Sequence, residues 1–306
     1  MKQIKRFSKH TFHILKDAKS NFQQNEPIVY SAAIAFFAIF SLPAILIVLT
    51  LFGTVFFSEE TVKQEIVGLA ESMINDGAGR QVDVVLDNVL TSPSGFWEIF
   101  IAVIVVLKGA SIIFFIMQKA LNTVWQVKVK PDVKYLTFLR HRLITLGVVA
   151  GLGLLLLLSL ILDTALSMYN EQIYELFEEY FTPALRAINT LFYLFVILVF
   201  FTSIHKVLPD AKVDWRDAFA GGFITSVLFL IGKQVINFIL SSIKVVGIYA
   251  AAGSLVVVLL WIFYSSVILM LGAEVTKAYA NNHGRSVEPS SIAIKYKNVS
   301  DEKRKV

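Results

Sequence analysis

Lys108 and Lys233 are the side chains best placed to do chemistry in this chain, because each lies deep inside a long apolar run. A charge at such a position costs about 2.5–3.5 kcal/mol on the insertion scale, so it marks a functional site by default. Four further charges, Glu98, Asp163, Lys244 and Glu274, lie toward the ends of such runs. An ammonium group away from water attracts anions. Two at comparable depth repel each other unless an anion lies between them. The chemistry these lysines offer is therefore recognition of an anionic substrate or lipid headgroup.

Lys233 belongs to a pattern. Ala218, Gly222 and Ser226 recur at helical spacing, and the same face continues through Lys233, Asn237, Ser241 and Lys244. The small residues allow close helix approach and the polar ones define a path, which predicts an interior or wet position for Lys233. Gly147 and Gly151 form a second small-residue pair. Lys108 is followed one turn later by Ser111, then by Gln118 and Asn122. The competing reading for both lysines is snorkelling, with the stem in lipid and the amine at an interface. Glu98, Asp163 and Lys244 are expected at interfaces. Glu274 either pairs with an inner-face base such as Arg216 or Lys206, or serves as a coupling carboxylate. Pro43 is expected to kink the first span.

The elements that must carry these residues are membrane spans. Of 306 residues, 56% are hydrophobic and only 17% charged, a membrane-class composition. Six stretches approach the roughly 20 residues that a bilayer requires: 30–57, 96–118, 143–162, 188–204, 218–241 and 247–275. The fold class is all-α, a polytopic six-helix transmembrane bundle. Lys and Arg number six before the first span, six in Lys119–Arg142, three in His205–Asp217 and seven from Lys277 onward, against two in Ser58–Gly95 and one in Leu166–Ala187. The positive-inside rule makes both termini cytoplasmic. The net charge of +5 thus reflects topology and attraction to anionic inner-leaflet lipid, not nucleic-acid binding.

Three flanking segments complete the layout. Residues 1–29 carry an amphipathic pattern, Ile4, Phe7, Ile14, Ala18 and Phe22, that suits an interfacial helix. The first outer loop holds two apolar stripes, Val62–Met73 and Val82–Leu90, separated by Asp76-Gly77-Ala78-Gly79, predicting two short amphipathic helices. Residues 281–306 are polar and read as a disordered cytoplasmic tail. The first apolar run is too long for a cleavable signal and is expected to act as an uncleaved anchor.

Little in the sequence points to catalysis. The absence of cysteine excludes disulfides, thiolate metal sites and Cys nucleophiles. The five histidines lie outside the spans or at their edges, with His205 expected to cap one, and none has metal-ligand spacing. There is no nucleophile elbow, P-loop or dinucleotide fingerprint. No enzyme activity, metal or other cofactor is expected.

An ordered series of motifs resembles the bacterial YihY/BrkB family. It comprises Ala35-Phe36-Phe37 with Ser41-Leu42-Pro43, Ala120-Leu121-Asn122-Thr123-Val124-Trp125, Arg216-Asp217-Ala218-Phe219-Ala220-Gly221-Gly222, Gly232-Lys233, Ile248-Tyr249, Leu260-Trp261-Ile262-Phe263-Tyr264 and Leu271-Gly272-Ala273-Glu274. Ala250 departs from the glycine often found after that tyrosine. The resemblance implies a six-span inner-membrane protein with both termini inside. Members have carried a ribonuclease label, against which the lack of a metal or acid–base cluster here argues; others are linked to serum resistance or to lipid movement. The expected function is transport or flipping of an anionic substrate along Lys233, Asn237, Ser241 and Ser226, with Lys108 and Ser111 as further path residues. The alternatives are an envelope or assembly scaffold and, third, a membrane-bound hydrolase. Membrane lipids are the expected partners, and a homo-oligomer is compatible with the sequence.

Overall fold

A computed structural model of the chain describes residues 16–18, 20–54, 57–73, 76–90, 96–134, 136–145, 147–148, 151, 181–242, 253–285 and 287–296. The described chain is mostly helical. Its main helices are α1 (Pro27–Gly53), α2 (Glu59–Met73), α3 (Asp76–Leu90), α4 (Phe96–Trp125), α5 (Phe181–Val207), α6 (Trp215–Ser242) and α7 (Gly253–Asn282). Among the described residues, Trp215–Val235 and Val258–Asn282 are long and apolar enough to cross a membrane. Lys16–Gln24 and Pro27–Leu42 make a third if they form one broken span. Most of the expected third span, 143–162, lies outside the described residues.

Local chemistry sets several boundaries. Pro27 opens α1, where its missing N–H costs nothing, directly after Glu26 at φ 49°. The Ser58 hydroxyl accepts the Thr61 N–H at 3.3 Å and caps α2, whose first turn carries Glu59 and Glu60 toward the positive end of the dipole. Asp214 supplies the carbonyl that receives the N–H groups of Asp217 and Ala218 as α6 begins. Gly284, at φ 69°, ends α7, and the Arg285 N–H bonds back to the Ala280 carbonyl at 3.0 Å.

The chain forms two compact units. The first comprises Met1–Asn25, Gln118–Val227 and Leu269–Val306; the second comprises Glu26–Met117 and Leu228–Ile268.

The first unit corrects two expectations. The segment after α7 is not a disordered tail where it is described, and the unit is not purely α. Strand β1 (Val127–Val129) pairs antiparallel with β4 (Ala293–Lys295), in register Val127↔Lys295 and Val129↔Ala293. Strand β2 (Ala211–Lys212) pairs with β3 (Glu288–Pro289) in the same sense. Gln126, at φ 54°, turns the chain from α4 into β1. Trp125, Val127, Ala211, Val213, Ala218 and Ala293 form the core beneath these strands. Apolar side chains just past the spans thus recruit residues 287–296, and polarity alone could not reveal this. Residues 297–306 lie outside the description.

In the second unit α2 and α3 form the expected amphipathic pair. Lys63 bridges Asp87 at 2.5 Å and Asp83 at 2.9 Å, and these two carboxylates raise its pKa. The expected break at Asp76–Gly79 falls instead within the first turn of α3, and the junction at 74–75 lies outside the description.

Candidate functional site

Lys233 is half-buried on α6. The neighbouring Gly232 explains how that part of the helix is set: a Cβ there would collide with the Tyr264 ring, so only glycine admits the aromatic side chain. The Tyr264 hydroxyl donates to the Leu228 carbonyl at 2.6 Å, and Trp261 packs on Phe229 with ring centroids 5.2 Å apart. Two stretches distant in sequence, Gly232-Lys233 and Trp261–Tyr264, therefore meet in the second unit. Along α6 the exposed side chains among the described residues include Trp215, Arg216, Phe219, Phe223, Val227, Ile231, Gln234 and Val235, whereas Ala218, Gly222 and Ser226 are buried. Lys233 is less exposed than its neighbours Ile231, Gln234 and Val235.

The other expected path residues are placed less uniformly. Ser226 is buried, but its hydroxyl donates to the Gly222 carbonyl at 2.7 Å, a bond within its own helix. Asn237 and Ser241 lie on α6, with side chains outside the description. Helix α1 runs through Pro43 without interruption of its helical assignment, and the proline's side chain is likewise outside the description. Lys108 and Ser111 are exposed on α4. Lys244, Asp163 and the side chain of Glu98 are outside the described residues.

The first unit holds a buried polar assembly that the sequence did not reveal. Asp210, 2% exposed, follows α5 and accepts from Gln118 Nε2 at 3.1 Å and Asn122 Nδ2 at 2.7 Å. Its N–H donates to Asn122 Oδ1 at 2.7 Å, and its carbonyl receives the Ser290 N–H at 2.9 Å. His141 Nε2 lies 3.2 Å from Oδ1. Partial burial lowers the Arg142 pKa, while the Asp210 charge opposes that change. Asp210 thus joins the end of α4 and helical stretch 136–145 through its carboxylate, and the strand-forming segment after α7 through its backbone carbonyl. Asp210→Asn replaces one acceptor oxygen by a donor and strands one amide. We expect a loss of about 1.5 kcal/mol, measurable as an earlier unfolding midpoint in detergent micelles.

Close helix contact accompanies this assembly. A Cβ on Gly221 would collide with Thr276 Oγ1 and the Gly272 carbonyl, and one on Gly222 would lie 2.7 Å from the Thr202 backbone. By contrast, a Cβ on Gly147 or Gly151 meets nothing within 4 Å, so close packing at that pair is not seen among the described residues.

Glu274 is fully buried and accepts a hydrogen bond from Asn25 Nδ2. This corrects the expected pairing with Arg216 or Lys206: Arg216 is exposed, and Lys206 donates to the Val213 carbonyl beneath the Trp215 ring. Asn25 reaches Glu274 because Ala18 of the preceding helical segment packs on Val275 and Ala278. His205 is buried rather than capping, with Nε2 3.0 Å from Thr225 Oγ1. Among the described residues no group of three or more His, Asp or Glu is arranged to hold a metal ion.

The fold and these buried polar groups define a mostly helical membrane protein. Residues 18–293 match the family described as Virulence factor BrkB, so the chain belongs to that family. It is similar to the UPF0761 membrane protein of Idiomarina loihiensis, at 23% identity over 70% of this chain and 72% of the relative. It is also similar to UPF0761 membrane proteins of Psychrobacter sp., 26% identical over 88% of this chain and 49% of that one, and of Legionella pneumophila, 26% identical over 60% and 43%. The chain spans less than half the length of the Psychrobacter and Legionella relatives. No solved structure matches.

Proposed function

We propose that the protein is a six-span bacterial inner-membrane carrier, with both termini cytoplasmic, that moves an anionic substrate whose charged part is a lipid headgroup or resembles one. The observation that carries this reading is Lys233, half-buried on an apolar helix and less exposed than its neighbours Ile231, Gln234 and Val235. Lys233 attracts the anion, Asn237 and Ser241 extend the path, and Pro43 lets the first helix bend. The reading involves no catalytic step and no cofactor.

A second reading, an envelope or assembly scaffold, draws support from the first unit, where helices touch at Gly221 and Gly222 and Asp217 is paired with Arg285.

The test is lipid movement in proteoliposomes with labelled anionic and zwitterionic lipids. The native chain is expected to move the anionic lipid selectively, Lys233→Ala to lose about tenfold in rate, an effect of roughly 1.4 kcal/mol, and Lys233→Arg to retain most of it. A folded Lys233→Ala protein that works normally removes the lysine-centred path. No movement by the native chain leaves a soluble anionic substrate or the scaffold as the better reading.

A further inference from the structure

Lys108 is exposed on a face of α4 whose other described exposed side chains are mostly apolar: Trp97 is 70% exposed and Ile101 58%, and Ile104, Ile112 and Phe115 continue the stripe. Ser111 lies on the same face, one turn from Lys108. At about 1.5 Å per residue the lysine is ~18 Å along the axis from Phe96, near the middle of a core about 30 Å thick. Its flexible stem is too short to bring the amine to either interface without deforming the bilayer. The helix therefore presents a cation to the same surroundings as its aromatic and aliphatic neighbours.

We infer that this face of α4 is a lipid-open binding site for an anionic phospholipid, with the phosphate at Lys108 and the acyl chains along Ile101, Ile104, Ile112 and Phe115. The charge requires an anion, and the apolar stripe on both sides of it requires hydrocarbon. An anionic lipid supplies both in one molecule. A second copy of the chain meeting this face about a two-fold axis would oppose Lys108 to its own equivalent, which like-charge repulsion disfavours. The site deepens the transport proposal, on which its biological role rests, by giving the headgroup a route along the outside of a helix with its tails still in the bilayer.

The native chain has no cysteine, so Ile112→Cys provides one labelling site beside Lys108. The full-length protein carrying a fluorophore there is reconstituted with lipids that bear a quencher on the acyl chain and either an anionic or a zwitterionic headgroup. We expect quenching to favour the anionic lipid roughly fivefold, the equivalent of about 1 kcal/mol for one basic side chain. The preference should vanish in Lys108→Ala, persist in Lys108→Arg and be unaffected by inorganic phosphate. Equal quenching by both lipids with Lys108 present overturns the site, as does a preference unchanged in Lys108→Ala or abolished by inorganic phosphate. Because binding is read without transport, a lipid preference with no lipid movement upholds the site and defeats only the carrier reading. Movement without a preference does the reverse.

Discussion

Gly221→Ala is expected to destabilise the protein by about 3 kcal/mol, at the upper end of the cost of overpacking. The added methyl meets the Gly272 carbonyl as well as Thr276 Oγ1, and a backbone oxygen cannot swing aside as a side-chain tip can. Relief requires α6 and α7 to separate, which loosens the packing around His205 and Thr225 as well, since a Cβ on Gly272 would lie 2.7 Å from His205 Nε2. Gly68→Ala is the matched control. It lies within α2 with nothing within 4 Å of the added carbon, and alanine should gain roughly 0.5–1 kcal/mol there. Unfolding in detergent micelles followed by circular dichroism should move the two midpoints in opposite directions. Equal midpoints for native and Gly221→Ala proteins would show that the helices do not touch there.

Arg285→Ala is expected to cost about 3 kcal/mol. Asp217 is 1% exposed in the first turn of α6, and Arg285 Nη2 lies 2.5 Å from its Oδ1. Breaking a buried pair from one side costs about 3–5 kcal/mol because the remaining charge stays desolvated. The lower end applies because the Arg285 side chain is 32% exposed. Arg285 directly follows the turn at Gly284, so its loss also loosens the segment that supplies β3 and β4. The double variant Asp217→Ala with Arg285→Ala should recover part of the loss, since it leaves no uncompensated carboxylate. Protease cleavage after α7 should increase in Arg285→Ala and less in the double variant. A double variant as unstable as the sum of the singles would show that the pair is not coupled.

Both predictions concern motifs visible in the sequence whose physical meaning became visible only in the fold. Gly221 and Gly272 stand out as small residues in long apolar runs, and Asp217 as an acid at the start of one. Nothing in spacing says that Gly221 faces Gly272, or that Asp217 waits for an arginine beyond the end of α7. Asp210 is the clearest omission. It lies in a short polar loop after Pro209, where an acid attracts no notice, and its amide partners Gln118 and Asn122 precede it by 92 and 88 residues. The only sequence signal was indirect: Asn122 stood inside a motif that carried the family resemblance.

The sequence by itself determined that this is a membrane protein of mostly helical class. Runs of apolar residues long enough to span lipid have few other stable solutions, because backbone polar groups must then be satisfied within the helix. It also placed Lys233 on the same helix face as Ala218, Gly222 and Ser226, since a strict 3.6-residue period fixes which residues share a face. Only the tertiary structure decided which faces meet. Lys108 lies on a less regular polar pattern than Lys233 and is exposed on α4, while Gly232 and Tyr264 set α6 with Lys233 half-buried. Periodicity within a helix defines its faces; what each face touches depends on packing between segments far apart in the chain, where one missing Cβ or one buried carboxylate selects the partner.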